Sequence, residues 1–198
     1  MQTLSRLDRV ERERDQWQRS NDVIRELDIN TGSVVVDFGS GVGYFALKLS
    51  RNVGKQGRVV AVDIQRVPLY VLRTRALIDR QHNITTILGE PDDPRLDDNS
   101  ANGVLIANTY HELDHPDVIL KHLFQSLKSA GRLVVVDRAP GTEDRDAEIE
   151  KEHHEIVPKL VEADLRKAGF EIVRREDHFT VQPEDGHVWW LIIARKPG

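Results

Sequence analysis

Three alternating glycines and the acid before them are the residues of this sequence with the clearest chemical potential. Gly39, Gly41 and Gly43 follow the β-branched residues 34–36 and Asp37. The β-branched run predicts a strand buried on both faces, and a pattern with helical spacing follows the glycines. Strand, glycine turn and helix together build a ligand site at the carboxyl edge of an open α/β sheet. Glycines there allow positive φ and let a ligand approach the backbone closely.

A second acid, Asp63, ends the next apolar run, residues 57–63, and follows Gly43 by the spacing seen in nucleoside sites. An acid about 20 residues after such a turn accepts hydrogen bonds from ribose hydroxyls. The sequence therefore predicts one adenosine-containing ligand that touches the ends of two strands.

The chemistry of that ligand follows from the spacing of the glycines and from Asp37. Dinucleotide sites use Gly-x-Gly-x-x-Gly, whereas this chain has Gly39-x-Gly41-x-Gly43. An anionic Asp37 repels a pyrophosphate and attracts an ammonium. The pattern favours a nucleoside that carries a cationic amino acid, and a nicotinamide-dependent oxidoreductase is the alternative.

The stretch Val35-Val36-Asp37-x-Gly39-x-Gly41-x-Gly43 resembles the first motif of class I S-adenosylmethionine-dependent methyltransferases, and Asp63 resembles their second-strand acid. The resemblance implies S-adenosylmethionine as the cofactor and S-adenosylhomocysteine as its product. It also implies that Ile64 packs on the adenine and that an acid after the third strand accepts from the adenine amino group. The implied cofactor-binding residues are Asp37, Gly39, Ser40, Gly41, Gly43, Asp63, Ile64, Glu90, Asp92 and Asn108. For Glu90 and Asp92, a solvated turn of Pro and Asp residues is the alternative.

Residues 108–112, Asn-Thr-Tyr-His-Glu, follow the fourth predicted strand and resemble a bacterial subgroup that methylates small molecules. The resemblance implies that Asn108 offers its backbone to the cofactor and that Tyr110 lies near the sulfonium. His111 is a candidate general base because histidine titrates near neutrality, and a hydrogen bond to the sheet edge is its alternative role. His153 lies in a region that contributes to the acceptor pocket in relatives, which makes it a third catalytic candidate.

Apolar runs that alternate with helical segments predict an α/β fold with a three-layer, doubly wound, mostly parallel sheet. Two final strands, near residues 170–175 and 187–195, follow one another without a helix and predict an antiparallel hairpin. The Rossmann-like fold of class I methyltransferases, which the chain resembles, also ends in an antiparallel strand pair. Before the sheet, residues 1–28 are predicted to form an N-terminal helical segment, followed by one domain over residues 29–198.

The N-terminal segment has two interpretations. In relatives such a helix covers the cofactor or the acceptor, so that Gln16 and Trp17 would face the site. Alternatively, Trp17 anchors the helix on the sheet, since large aromatic side chains dominate core packing. Further along, Asp114 is predicted to cap the helix that begins at Pro116.

The amino-acid composition excludes several kinds of binding site and partner. The chain of 198 residues has no cysteine, which excludes disulfides and thiolate metal sites. The histidines lack metal-ligand spacing, so no metal is expected. A formal net charge of −5 disfavours non-specific binding to nucleic acid. Without an apolar signal core or an apolar run of membrane-spanning length, the prediction is a cytoplasmic protein with no membrane partner.

The sequence thus predicts a methyltransferase that acts on an unidentified small-molecule acceptor. A protein that binds S-adenosylmethionine or S-adenosylhomocysteine without transferring a methyl group remains the second alternative. A homodimer is a further expectation, because the apolar residues 189–193 would offer surface to bury.

Overall fold

The computed structural model describes residues 2–141 and 155–198, which form one twisted sheet with helices on both faces. The strands are β1 (Val34–Phe38), β2 (Arg58–Asp63), β3 (Ile84–Leu88), β4 (Ala101–Ala107), β5 (Leu127–Arg138), β6 (Glu171–Val181) and β7 (Val188–Arg195). The helices are α1 (Gln2–Trp17), α2 (Ser20–Glu26), α3 (Tyr44–Val53), α4 (Arg66–Ile78), α5 (Pro116–Ser126) and α6 (Pro158–Lys167), with a 3₁₀ turn at Tyr110–Glu112.

The strands lie in the order β3-β2-β1-β4-β5-β7-β6. The first five are parallel, and β7 is inserted antiparallel between β5 and β6. This arrangement confirms the predicted doubly wound sheet with a C-terminal hairpin. The order reverses between β1 and β4, and ligands of open α/β sheets bind outside the carboxyl ends of the strands at such a point.

Both faces of the sheet are covered, as the apolar runs require. Alternate residues of one strand point to opposite faces, so Val35 joins the core under α2 and α3, whereas Val36 joins the core under α5 and α6. The same alternation separates Val59 and Val60 on β2. The three predicted layers are therefore present.

The apolar run in β7 has a different role from the one expected. Residues 189–193 are buried because β7 lies inside the sheet, between β5 and β6. These side chains are part of the hydrophobic core and offer no exposed surface for a dimer interface. Among the described residues, no helix is both long enough and apolar enough to cross a membrane.

The start of α5 also differs from the prediction. His115, not Asp114, occupies the N-cap position, and no side chain caps the helix there. Pro116 is the first helical residue, where its missing N–H costs little because that group would have no partner in the helix. Asp114 instead belongs to the wall of the cavity described below.

Candidate functional site

A cavity of about 420 Å³ opens at the carboxyl ends of the parallel strands, beside the point where the strand order reverses. Its volume is within the range of small-molecule sites. Four of the connecting segments after strands contribute to its wall, as does α1. The strand-end residues on the wall are Asp37, Phe38, Val62, Asp63, Gly89, Glu90, Ala107 and Asn108.

The glycine turn is tied directly to the end of β2. The backbone N–H of Gly41 donates to Oδ2 of Asp63 at 2.8 Å, and the N–H of Gly39 donates to the carbonyl oxygen of Val62 at 2.9 Å. Oδ1 of Asp63 accepts from the N–H of Gln65 at 2.8 Å. The structure thus brings the turn and both predicted acids, Asp37 and Asp63, to one cavity.

Asp37 is only 2% exposed, although it lines the cavity. It accepts a hydrogen bond from the backbone of Ala46, and burial raises its pKa to about 7. Its Oδ2 has no hydrogen-bond partner among the described residues, and neither do Oγ of Ser40 and Oδ1 of Asn108 on the same wall. Buried polar atoms are nearly always paired, so three on one wall fit a polar ligand that pairs with them.

Gly43, unlike Gly39 and Gly41, does not line the cavity. It precedes α3 with φ of +96°, and a Cβ there would overlap the side chain of Leu72 on α4. Gly43 therefore allows α3 to begin sharply and to pack closely against α4, which is a structural role.

The two acids predicted after β3 occupy different positions. Glu90 lines the cavity and pairs with Arg95, whereas Asp92 is exposed and is not among the lining residues. Ile64, which follows Asp63, also lines the cavity and is 57% exposed. An exposed apolar side chain next to Asp63 is suited to packing against an aromatic ring of a ligand.

Tyr110 lies in the core rather than at the cavity. It is 2% exposed, and its hydroxyl donates to Oδ2 of Asp164 on α6 at 3.0 Å. Burial, followed by the effect of Asp164, raises the pKa of this hydroxyl well above its ordinary value. Tyr110 joins α6 to the 3₁₀ turn, and this placement differs from the expected one near a sulfonium.

His111 is also buried, and its Nδ1 lies 2.9 Å from Oδ1 of Asp137 at the end of β5. The other ring nitrogen is 3.8 Å from Oε1 of Glu112, which lines the cavity. This arrangement is the predicted alternative, a hydrogen bond to the sheet edge, one residue away from the cavity. His153, the third catalytic candidate, lies outside the described residues.

The N-terminal helix reaches the cavity through a residue that the sequence reasoning missed. Arg14 lines the wall, whereas the indole of Trp17 packs against Trp189 with ring centroids 5.4 Å apart. Gln16 is exposed and is not among the lining residues. Trp17 thus anchors α1 on the sheet side, and Arg14, three residues earlier, faces the cavity.

Comparison with known proteins agrees with this architecture. Residues 35–131, which carry the glycine turn, Asp63 and the 108–112 segment, match the family model described as a methyltransferase domain. The chain therefore carries a methyltransferase domain of the class I S-adenosylmethionine-dependent type. The resemblance stated from the first motif is therefore confirmed.

Relatives of this class I methyltransferase domain include the ubiquinone/menaquinone biosynthesis C-methyltransferase UbiE of Pseudomonas entomophila, 34% identical over 55% of this chain and 43% of that protein. Demethylmenaquinone methyltransferase of Shouchella clausii is 25% identical over 64% of this chain and 53% of that protein. The chain thus spans about half the length of these relatives. An S-adenosylmethionine-dependent methyltransferase of Aquifex aeolicus shares the fold, with a TM-score of 0.75 over 89% of both chains at 23% identity.

Gly41 provides the first test of this candidate site. Its φ is +51°, a Cβ added to it would meet nothing within 4 Å, and Gly41 lines the cavity. We expect Gly41→Ala to lower the free energy of unfolding by about 1–2 kcal/mol, the cost of a left-handed residue. Isothermal calorimetry should show S-adenosylhomocysteine bound at least about tenfold more weakly, since the methyl group occupies ligand space.

Gly186 is a matched control for this substitution. It has φ of +74°, also meets nothing within 4 Å, and lies in the β6–β7 connection away from the cavity. Gly186→Ala should cost a similar stability and leave the affinity unchanged. Equal affinities for the two variants would show that Gly41 is not in contact with the ligand.

Proposed function

We propose that this protein binds S-adenosylmethionine in the cavity and transfers its methyl group to a small-molecule acceptor. The observation that carries the proposal is the convergence of Asp37, Asp63 and the glycine turn on one cavity, with Gly41 hydrogen-bonded to Asp63. The match to the methyltransferase domain family supports the same activity.

The residues on the wall fit each part of the cofactor. Asp63 would accept the ribose hydroxyls, since each carboxylate oxygen already holds one backbone N–H and keeps a further lone pair. Ile64 would pack on the adenine, and Glu90 would accept from its amino group. The unpaired Oδ2 of Asp37 would face the positive charge of the amino-acid part, where a charge-assisted contact is strongest.

The cofactor supplies a sulfonium, which is already a good leaving group for methyl transfer. The main task of the protein is then to hold the acceptor atom, the methyl carbon and the sulfur in line, which is a proximity effect. Glu112 and Asp114 line the cavity beyond Asn108, and Glu112 would orient an acceptor or take its proton there. We place His111 behind Glu112, where its hydrogen bond to Asp137 fixes the 3₁₀ turn.

Calorimetry with Asp63→Ala tests this proposal. An acceptor that pairs with two hydroxyls contributes roughly 1.5–3 kcal/mol, so the variant should bind S-adenosylhomocysteine more than tenfold more weakly than the parent. Asp98→Ala, a change of an exposed acid in the loop before β4, is the control and should leave the affinity unchanged. An unaltered affinity in Asp63→Ala would refute the role of Asp63.

Two further measurements separate the rival functions. A fluorescence titration with NADH should show no binding, and saturable NADH binding without S-adenosylhomocysteine binding would favour the oxidoreductase. Formation of S-adenosylhomocysteine from S-adenosylmethionine should depend on an acceptor, and demethylmenaquinone is the first acceptor to test because one relative is named a demethylmenaquinone methyltransferase. Tight binding without turnover across a panel of phenol, amine and carbon-acid acceptors would favour a non-catalytic binding protein.

A further inference from the structure

We propose that Arg14 on α1 binds the α-carboxylate of the methionine part of the cofactor, so that α1 selects intact S-adenosyl amino acids over nucleosides that lack the carboxylate. This inference rests on the proposed function and deepens it. It adds a specificity-determining residue that lies outside residues 35–131, the region matched by the family model.

The charges on the cavity wall single out Arg14. The acidic and basic side chains among the described lining residues are Arg14, Asp37, Asp63, Glu90, Glu112 and Asp114. Arg14 is the one cation in that set, and the proposed ligand carries one carboxylate in its amino-acid part. A carboxylate placed elsewhere on this wall would face acids of the same charge, which is unfavourable.

The guanidinium of Arg14 has donors to spare. Its Nε donates to Oε1 of Gln18 at 2.6 Å, and its central carbon, Cζ, lies 4.1 Å from the ring centroid of Tyr44. Among the described residues, its two terminal nitrogens donate no hydrogen bond to a protein acceptor, and neither is a fully buried unpaired atom. They therefore remain available at the cavity, where a planar fork of N–H groups matches a carboxylate in two parallel hydrogen bonds.

Partial burial makes this cation costly unless a ligand compensates for it. Desolvation lowers the pKa of Arg14, and the charges of Tyr44, Glu11, Asp37 and Asp15 oppose that effect at a distance. Within the part of the chain that the structure describes, no hydrogen bond joins Arg14 to Asp37 and Oδ2 of Asp37 has no hydrogen-bond partner. The cavity thus presents a cation and an anion that are not paired with each other, which suits the carboxylate and ammonium of a zwitterion.

Two anchors beside Arg14 fix its position. Glu11, one turn earlier on α1, accepts two hydrogen bonds from Arg75 on α4 at 2.7 and 2.6 Å. Arg75 also donates to the carbonyl oxygen of Val42 in the glycine turn at 2.8 Å. On the other side, Asp15 accepts from the hydroxyl of Tyr44 at 2.6 Å. A side chain held in place before binding loses less entropy when it binds, which favours recognition.

The test compares two ligands that differ by the amino-acid part. S-adenosylhomocysteine contains the carboxylate, and methylthioadenosine keeps the adenosine thioether but lacks the carboxylate and ammonium. We expect Arg14→Gln to weaken S-adenosylhomocysteine binding by roughly 20-fold or more, and methylthioadenosine binding by less than about threefold. Arg14→Lys, which keeps the charge but loses the fork, should lie between the parent and Arg14→Gln.

Arg12→Gln is the matched control, because Arg12 is an exposed arginine on the same helix. It should change neither affinity. Equal losses for both ligands in Arg14→Gln would overturn the inference and indicate displacement of α1, as would an unchanged affinity for S-adenosylhomocysteine. A parent protein that binds neither ligand would instead refute the proposed function itself, and the carboxylate role with it.

Discussion

Replacing Asp37 by Asn should make the cofactor-free protein more stable above neutral pH while weakening cofactor binding. Burial raises the pKa of Asp37 from 3.8 to about 7. Between these values the folded protein holds a proton that the unfolded chain has released, so the free energy of unfolding falls as pH rises through this window. Above pH 7 the full cost of a buried carboxylate is present, about 4 kcal/mol at most.

The Asn variant lacks this titration but keeps the shape of the side chain and an oxygen for the N–H of Ala46. Urea unfolding of both proteins should therefore show a stability difference in favour of Asp37→Asn that grows by about 2–3 kcal/mol between pH 5 and pH 8. A difference that stays constant, or a variant that is less stable at pH 8, would contradict the assignment of a buried carboxylate whose Oδ2 has no partner among the described residues.

Cofactor binding should respond to the same group with the opposite sign. A cationic ligand favours the ionised form of Asp37, so the parent should bind S-adenosylmethionine more weakly as pH falls below about 7. Asp37→Asn should bind weakly at pH 8 and lose this pH dependence. The stability of the free site and its affinity are therefore expected to trade against each other at Asp37.

The second large effect is expected at His111, where the substitution separates a structural role from a catalytic one. Nδ1 of His111 lies 2.9 Å from Asp137, which is completely buried. His111→Ala removes a buried partner of that carboxylate and should lower the free energy of unfolding by about 3 kcal/mol. For a protein of this length the melting temperature should fall by roughly 6–12 °C.

His111→Asn is the control that decides the role. The amide nitrogen of Asn branches from the same carbon position as Nδ1 of histidine and can donate to Asp137, but Asn cannot act as a general base. If His111 only fixes the turn, Asn should recover most of the stability and of the methyl-transfer rate at saturating cofactor. Recovered stability with a rate still lowered more than about 100-fold would instead assign His111 as the base.

The sequence alone predicted that the glycine turn and the two acids meet at one edge of the sheet, because that geometry is local. Asp37 lies near the end of one buried strand, Gly39 and Gly41 follow it, and Asp63 ends the next strand. Parallel strands place their carboxyl ends at one edge of the sheet, so two strand-end acids must meet there. The alternation of apolar strands with helices likewise predicted the three layers and the antiparallel hairpin, since each depends on periodicity within a short segment.

The tertiary structure alone decided which residues of the other segments reach the cavity. Successive side chains on a helix point about 100° apart, so the face of α1 that meets the cavity depends on where the helix is anchored. Contacts over long sequence distances, such as Glu11 with Arg75, set that rotation and place Arg14 rather than Gln16 or Trp17 at the wall. In the same way, Tyr110 lies in the core, where its hydroxyl is hydrogen-bonded to Asp164. Gly43 packs against Leu72 and does not line the cavity. Local spacing specifies the ends of strands, but only the packing of distant elements selects the helix face and the turn residue that a ligand can touch.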